Sequence, residues 1–196
     1  ASNVALTLDI LSTAALMAKQ MGVAQPKWCV VSAKGGLVAL GNGLQLTTDK
    51  LPQRTSKDKS LWIVPGMGVD SPRSAADRMQ EADALWAAKA IHSHVQRGGK
   101  VAAGCSSVLL LQAAGVLAGK TVTVSWWLAS HLRSSQPDCT VDAQRMVVAD
   151  GTADTQAEDA EQSAAAFDEG LEGDPDALRM VLLFGGAALA VGLFAW

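Results

Sequence analysis

No CxxC pair, no cluster of ligand-type side chains at metal spacing and no Lys/Arg cluster interleaved with aromatics occurs in the 196 residues. Each absence removes a class of protein. Cys29, Cys105 and Cys139 are an odd number of cysteines without zinc-site spacing. That argues against a disulfide framework and a structural zinc site, and it fits a reducing, cytoplasmic compartment. The three histidines, His92, His94 and His131, fall on expected helices without carboxylate or thiol partners at ligand spacing, so no metal is expected. Without a basic, aromatic-rich patch or a helix-turn-helix signature, direct nucleic-acid binding by these residues is not expected. A basic region followed by an apolar core, the mark of a signal peptide, is missing from the N-terminus. There is no internal repeat.

What is present reads as one globular domain with a substantial core: 49% of residues are apolar and 18% charged. The net charge of −3 hides a split. Residues 1–149 carry 15 basic and 9 acidic side chains, whereas residues 150–176 carry 10 acidic and no basic ones. The block 152–176 is expected to be an acidic loop or linker. Beyond it, every residue from Met180 to Trp196 is apolar or glycine. This run, within 177–196, has two open readings. Gly185 and Gly186 after a β-like VLLF favour a buried strand and helix completing the domain; Arg179 and the final Trp196 favour a membrane segment over 180–196.

Hydropathy along the chain alternates helix and strand. Residues 4–20 read as an amphipathic helix, 27–33 as a strand, and LVALGNGLQLTTD as a hairpin. LWIV (61–64) reads as a strand buried on both faces. Residues 74–97 form one long helical pattern with Ser74 as N-cap. KVAAGC is the next strand and SSVLLLQAAGVLAG the next helix. KTVTV is β-like, SWWLASHLRSSQP is a helix ending before Pro137, and 145–149 is a further strand. Short strands alternating with helices predict a doubly wound, mostly parallel α/β sheet flanked by helices. Its sites are expected beyond the carboxyl ends of strands.

Two strand ends stand out, PGMG after LWIV and GCSS after KVAA. A cysteine on a strand-to-helix turn is lifted out of the sheet, and the helix start favours a thiolate. Gly66 and Gly68 on the neighbouring strand end are placed to offer backbone N–H groups to an oxyanion.

The segments TLDILSTA (7–14), LWIVPGMG (61–68), GCSSVLLLQAAGVLAGKTVTVSWWLA (104–129) and VDAQRMVVADG (141–151) together resemble the ThiJ/PfpI superfamily. Its fold is class I glutamine-amidotransferase-like and flavodoxin-like. Within it, the chain is most similar to the sensing domains of GlxA-type regulators of the AraC family. The resemblance covers most of residues 1–151 and implies a nucleophile elbow at Cys105. It also implies a ligand site formed by Gly66, Met67, Gly68, Ser106, Asn3, Ser125 and Trp126.

Departures from the pattern point away from catalysis. Asn3 stands where family enzymes carry a carboxylate, and an amide is no general base. Ser125 replaces the family histidine, and Ser107 replaces a glycine of the elbow. The resemblance therefore implies a ligand-sensing, non-catalytic domain of a transcriptional regulator, binding a small-molecule metabolite without a cofactor. It further implies a homodimer, with DNA contacted only through a domain outside these residues. Two other readings remain open: a cysteine enzyme of isocyanide-hydratase, amidase or glyoxalase type using Cys105, and a membrane-tethered structural member. The family's first central strand has no counterpart before Ala1, so either it lies outside these residues or another segment fills its slot.

Overall fold

The computed structural model describes residues 2–41, 43–51, 58–157, 179–184 and 190–192; for 2, 3, 41 and those beyond 157 it describes the backbone only. In chain order the elements are α1 (Ser2–Met21), β1 (Lys27–Ser32), β2 (Gly36–Gly41), β3 (Leu44–Lys50), β4 (Leu61–Val64), α2 (Pro72–Met79) and α3 (Ala82–Gln96). They continue with β5 (Lys100–Gly104), a 3₁₀ turn (Cys105–Ser107), α4 (Val108–Ala113), β6 (Thr121–Val122), α5 (Trp126–Ser135) and β7 (Thr140–Val141). Last come β8 (Val147–Asp150), β9 (Ala153–Gln156), β10 (Arg179–Phe184) and β11 (Ala190–Gly192).

Parallel pairs β10–β4, β4–β5 and β5–β9 form the middle of the sheet. The antiparallel hairpins β2–β3 and β8–β9 lie at its two margins. Strands β6 and β7 make a separate parallel pair.

Strand β4 shows why this sheet is doubly wound. Successive side chains point to opposite faces. Trp62 and Val64 enter the larger core with Ile91, Leu110, Leu111, Leu128 and Leu132, while Ile63 packs in a smaller one with Trp28, Val30 and Leu46. Both faces are covered, so every position of LWIV is apolar. Helix α1 covers the smaller core through Val4 and Leu8, and its buried Val4, Leu11 and Ala18 form one narrow stripe at seven-residue spacing. Helices α2 to α5 supply the larger one. Each large aliphatic side chain buried there contributes about 1.5–3 kcal/mol.

Four expectations are corrected. The helix drawn over 74–97 is two helices, interrupted at Gln80 and Glu81. The N-cap of the first is Ser71, with Pro72 at the first helical position; Ser74 is the third helical residue and closes a reciprocal capping box. Across the interruption, Arg78 Nη1 and Nη2 donate to both oxygens of Asp83, each at 2.8 Å, and clamp the two helices together. Burial would raise the Asp83 pKa, but the Arg78 guanidinium outweighs it and holds the carboxyl below its ordinary value.

The acidic block does not begin at 152 as a loop. Ala153–Gln156 is strand β9, parallel to β5 and antiparallel to β8, with Ala153 and Thr155 buried. The loop reading of the remainder falls on 158–178, outside the described residues.

The C-terminal run places Arg179–Phe184 between β1 and β4, parallel to both. Thus a strand from the C-terminal end stands where the resemblance asked for a strand ahead of the first helix. The segment expected to continue as a helix instead has Ala190–Gly192 as a short strand, antiparallel to β1 and β10. Val191, β-branched, suits an extended backbone there. Over 180–184 the backbone is a sheet strand. By length and composition alone, Val4–Met21 of α1 is the one described helix long and apolar enough to cross a membrane.

Candidate functional site

The carboxyl ends of β4 and β5 lie side by side, with Val64 paired to Ala103. From β4 the chain turns through Pro65, Gly66, Met67 and Gly68; from β5 it turns at Gly104 into the 3₁₀ turn that starts with Cys105. Cys105 has φ of 53°, the one non-glycine residue with positive φ among the described residues. An L-residue held in this left-handed region stores conformational strain, and such strain collects where a side chain must be presented in one direction.

Small residues make room around the half-buried thiol. A methyl added at Gly66 would stand 3.4 Å from Cys105 Cβ and 3.8 Å from Ser106 Oγ, so the two strand ends meet in van der Waals contact. Ser106 and Ser107 are both buried. The Met67 amide donates to Ser106 Oγ at 3.0 Å, joining the PGMG turn to the cysteine turn. That amide is therefore engaged by the protein itself, which withdraws one N–H from any oxyanion site on this turn. Gly68 is exposed with φ of 70°, a conformation that suits glycine.

Ser107 has a role that sequence reasoning missed. Its hydroxyl lies 2.6 Å from the Val64 carbonyl and 2.7 Å from the Gly104 carbonyl, so it ties the ends of β4 and β5 together. The available signal was a serine three residues after Gly104, at a junction too crowded for a solvated hydroxyl.

Opposite the thiol, Ser125 Oγ donates to Cys105 Sγ at 3.2 Å. Ser125 occupies the N-cap of α5, yet makes no side-chain cap hydrogen bond there. Its hydroxyl serves the cysteine instead of the helix. The segment that carries it is held from the other side: the Thr123 amide donates to Thr155 Oγ1 at 2.7 Å and Thr123 Oγ1 to the Arg145 carbonyl at 2.6 Å. These contacts were also not foreseen, because they join residues more than 20 apart in sequence.

The structure thus brings together Cys105, Gly66, Met67, Ser106 and Ser125. Trp126 is 74% exposed, while its neighbour Trp127 packs against the larger core. Asn3 lies in the first turn of α1, and its side chain is outside the described residues. A shallow groove of about 320 Å³ lies elsewhere, lined by Ala75, Met79, Leu109, Gln112 and His131. It contains none of the expected site residues.

Chemically, the pair Cys105–Ser125 is a nucleophile-type side chain next to a hydroxyl donor. A serine hydroxyl can donate to sulfur, but near neutral pH it does not take up the thiol proton as an imidazole would. Among the described residues no group of three or more His, Cys, Asp and Glu side chains has the arrangement of a metal site.

No protein-family model matches the chain, and no curated protein does. Solved structures do. A Vibrio parahaemolyticus protein assigned as a transcriptional regulator is 19% identical, with 79% of this chain and 76% of that one covered and a TM-score of 0.54. An AraC family transcriptional regulator from Pseudomonas putida is 19% identical, covering 65% of this chain and 63% of that one, at a TM-score of 0.51. A DJ-1 superfamily protein from Salmonella typhimurium, solved as a cysteine-to-alanine mutant, is 16% identical with 79% and 73% covered and a TM-score of 0.51. The chain spans less than two thirds of the Pseudomonas putida regulator. At these identities the shared property is the architecture, and it is the one the sequence resemblance implied: the chain has the flavodoxin-like, class I glutamine-amidotransferase-like fold of the DJ-1/ThiJ/PfpI proteins.

Proposed function

We propose that this domain is a ligand-sensing module of a transcriptional regulator of the GlxA/AraC kind, which binds a small metabolite beside Cys105 and does not turn it over. The observation that carries this reading is the Ser125–Cys105 hydrogen bond of 3.2 Å. The position facing the thiol holds a donor, where a cysteine enzyme needs a proton acceptor. The small residues Gly66, Ser106 and Ser125 surround the half-buried sulfur, which makes it the point a compact polar ligand would contact. Similarity in fold to the two regulator structures supports the regulatory assignment.

A second reading, a cysteine hydrolase or hydratase, is favoured by one specific observation. Cys105 keeps a strained positive φ that a plain packing residue would not need.

One pair of measurements separates the two. The full chain is screened by thermal shift against a panel of amino acids, polyamines and small carboxylic acids, and is assayed with methylglyoxal and an alkyl isocyanide. A sensor gives a saturable rise in Tm with at least one panel compound, lost in Gly66→Leu, and no product from either reactive substrate. Turnover of either substrate that disappears in Cys105→Ala would overturn the sensing proposal in favour of the enzyme.

A further inference from the structure

Thr155 reaches both halves of the thiol site, one through its backbone and the other through its side chain. On β9 it is paired with Ala103 of β5, two residues before Cys105, and the next rung of that ladder joins Gly104 to Gln156. Its Oγ1 accepts from the Thr123 amide at 2.7 Å, two residues before Ser125. The thiol and the hydroxyl that faces it are thus both held from one residue, each at two positions along the chain.

The path from Thr155 to the sulfur has little slack. Thr123, Ser125 and Thr155 are all buried, and Val124 between the first two packs in the larger core. The pairing of β6 with β7 ends at Val122, so the amide of Thr123 is satisfied by a side chain and not by a strand. Thr123 Oγ1 donates to the Arg145 carbonyl at 2.6 Å, which fixes the same residue from its other side. Ser125 makes no side-chain cap bond to α5, so the direction of its hydroxyl comes from the segment before it. From there it donates to Cys105 Sγ at 3.2 Å. Valine at 155 would keep the shape of threonine and leave the Thr123 amide buried without an acceptor. A buried N–H does not stay unpaired at low cost. To find another partner the 123–125 segment must shift, and the Ser125 hydroxyl moves with it.

We propose that Thr155 is the positioning residue of this site, setting the Ser125 hydroxyl against the Cys105 sulfur from a strand that touches neither. The inference rests on the Cys105–Ser125 contact that carries the sensing reading, and not on whether a ligand binds or is turned over. A hydroxyl donating to sulfur favours the thiolate over the thiol. The neighbours of the thiol from the PGMG turn, from its own turn and from the start of α5 are Gly66, Ser106 and Ser125, all uncharged.

The test follows alkylation of Cys105 by iodoacetamide in the full chain between pH 6 and 10. Peptide mass spectrometry resolves Cys29 and Cys139, and circular dichroism confirms folding. Ser125→Ala raises the midpoint of the rate–pH profile by about 0.5–1 unit, about a three- to tenfold loss of thiolate below it. Thr155→Val moves the midpoint in the same direction, and Thr155→Ser, which keeps the acceptor, restores it. Added to Ser125→Ala, Thr155→Val shifts the profile no further, because it acts through that hydroxyl. Thr155→Ala removes the same acceptor and shows the same shift if the valine chain does not fold. An unshifted Thr155→Val or Thr155→Ala beside a shifted Ser125→Ala overturns this inference and leaves the sensing reading standing. A serine variant that behaves like valine also overturns it, as do summed shifts in the double variant or loss of folding in both truncations. The ligand panel and the substrate assays decide the sensing reading separately, since neither enters this profile.

Discussion

The hydroxyl of Ser125 donates to the sulfur of Cys105 across 3.2 Å, while the cysteine backbone is held at φ of 53°. These two features belong together. The strained turn aims the thiol toward the end of β6, where the Ser125 hydroxyl meets it as donor. The turn presents the thiol to a hydroxyl, which is the geometry on which the proposed sensing site rests.

The strain at Cys105 has a measurable consequence. Glycine adopts positive φ without the Cβ clash that alanine retains. Cys105→Gly should therefore be more stable than Cys105→Ala by about 1 kcal/mol, despite the greater chain entropy of glycine when unfolded. Urea denaturation of both variants decides the point; alanine equal to or better than glycine would mean that the turn relaxes in solution.

Gly99 is required for a different reason. A methyl there would overlap Nε2, Cε1 and Cδ2 of His94. That ring cannot retreat, since it is fully buried and stacked on Trp62 with centroids 4.1 Å apart. Gly99→Ala should cost roughly 2–3 kcal/mol through overpacking. Adding His94→Ala should recover part of the loss, and a double-mutant cycle by chemical denaturation measures that recovery.

His94 also makes stability depend on pH. Burial drives its pKa below the ordinary 6.5, and the nearby Asp58 carboxylate and the Ser60 and Lys100 carbonyls only partly offset this. Folded protein keeps the ring neutral at pH values where the unfolded chain binds a proton. The contribution is thus complete above about pH 6.5 and is lost as pH falls from there toward the lower folded-state value, at up to about 1.4 kcal/mol per pH unit. Thermal melts between pH 7.5 and 5 should show Tm falling with acidification. The slope should be shallower in His94→Gln, and an identical slope would remove His94 as its source.

The position of β10 predicts the effect of truncation. With Arg179–Phe184 between β1 and β4, a chain ending at residue 157 leaves facing edges of two interior strands without partners. That truncated chain should show no cooperative thermal transition, and a peptide of residues 177–196 added in trans should restore one. A cooperative melt of the truncated chain alone would show that the sheet closes without this strand.

Much of the architecture was legible locally. LWIV and the VAAG that follows Lys100 are uniformly small or apolar because the sheet is covered on both faces, and strands of this kind are conspicuous between polar turns. The turn at Cys105 was legible because a Gly-Cys pair ended such a strand and a helical pattern began at once. The break at Gln80–Glu81 was not, since neither residue interrupts helical periodicity; Arg78 and Asp83 define the bend only when their side chains meet. Strand β9 was obscured because Ala153 to Gln156 has a polar composition, and its β form comes from pairing with β5 and β8. Ser107 looked like a departure from a glycine and proved to be a brace between two strand ends.

By itself, the order of residues determined where strands and helices alternate, which strand end carries the cysteine, and which side of α1 is apolar. These follow from spacing along a chain of fixed helical and extended repeat. Tertiary structure alone decided that Ser125 faces Cys105, that the Met67 amide is bound by Ser106, and that the C-terminal strand enters the middle of the sheet. Those pairings join distant segments. Parallel neighbours are chosen by closure of the whole sheet over its core, and no local periodicity encodes that choice.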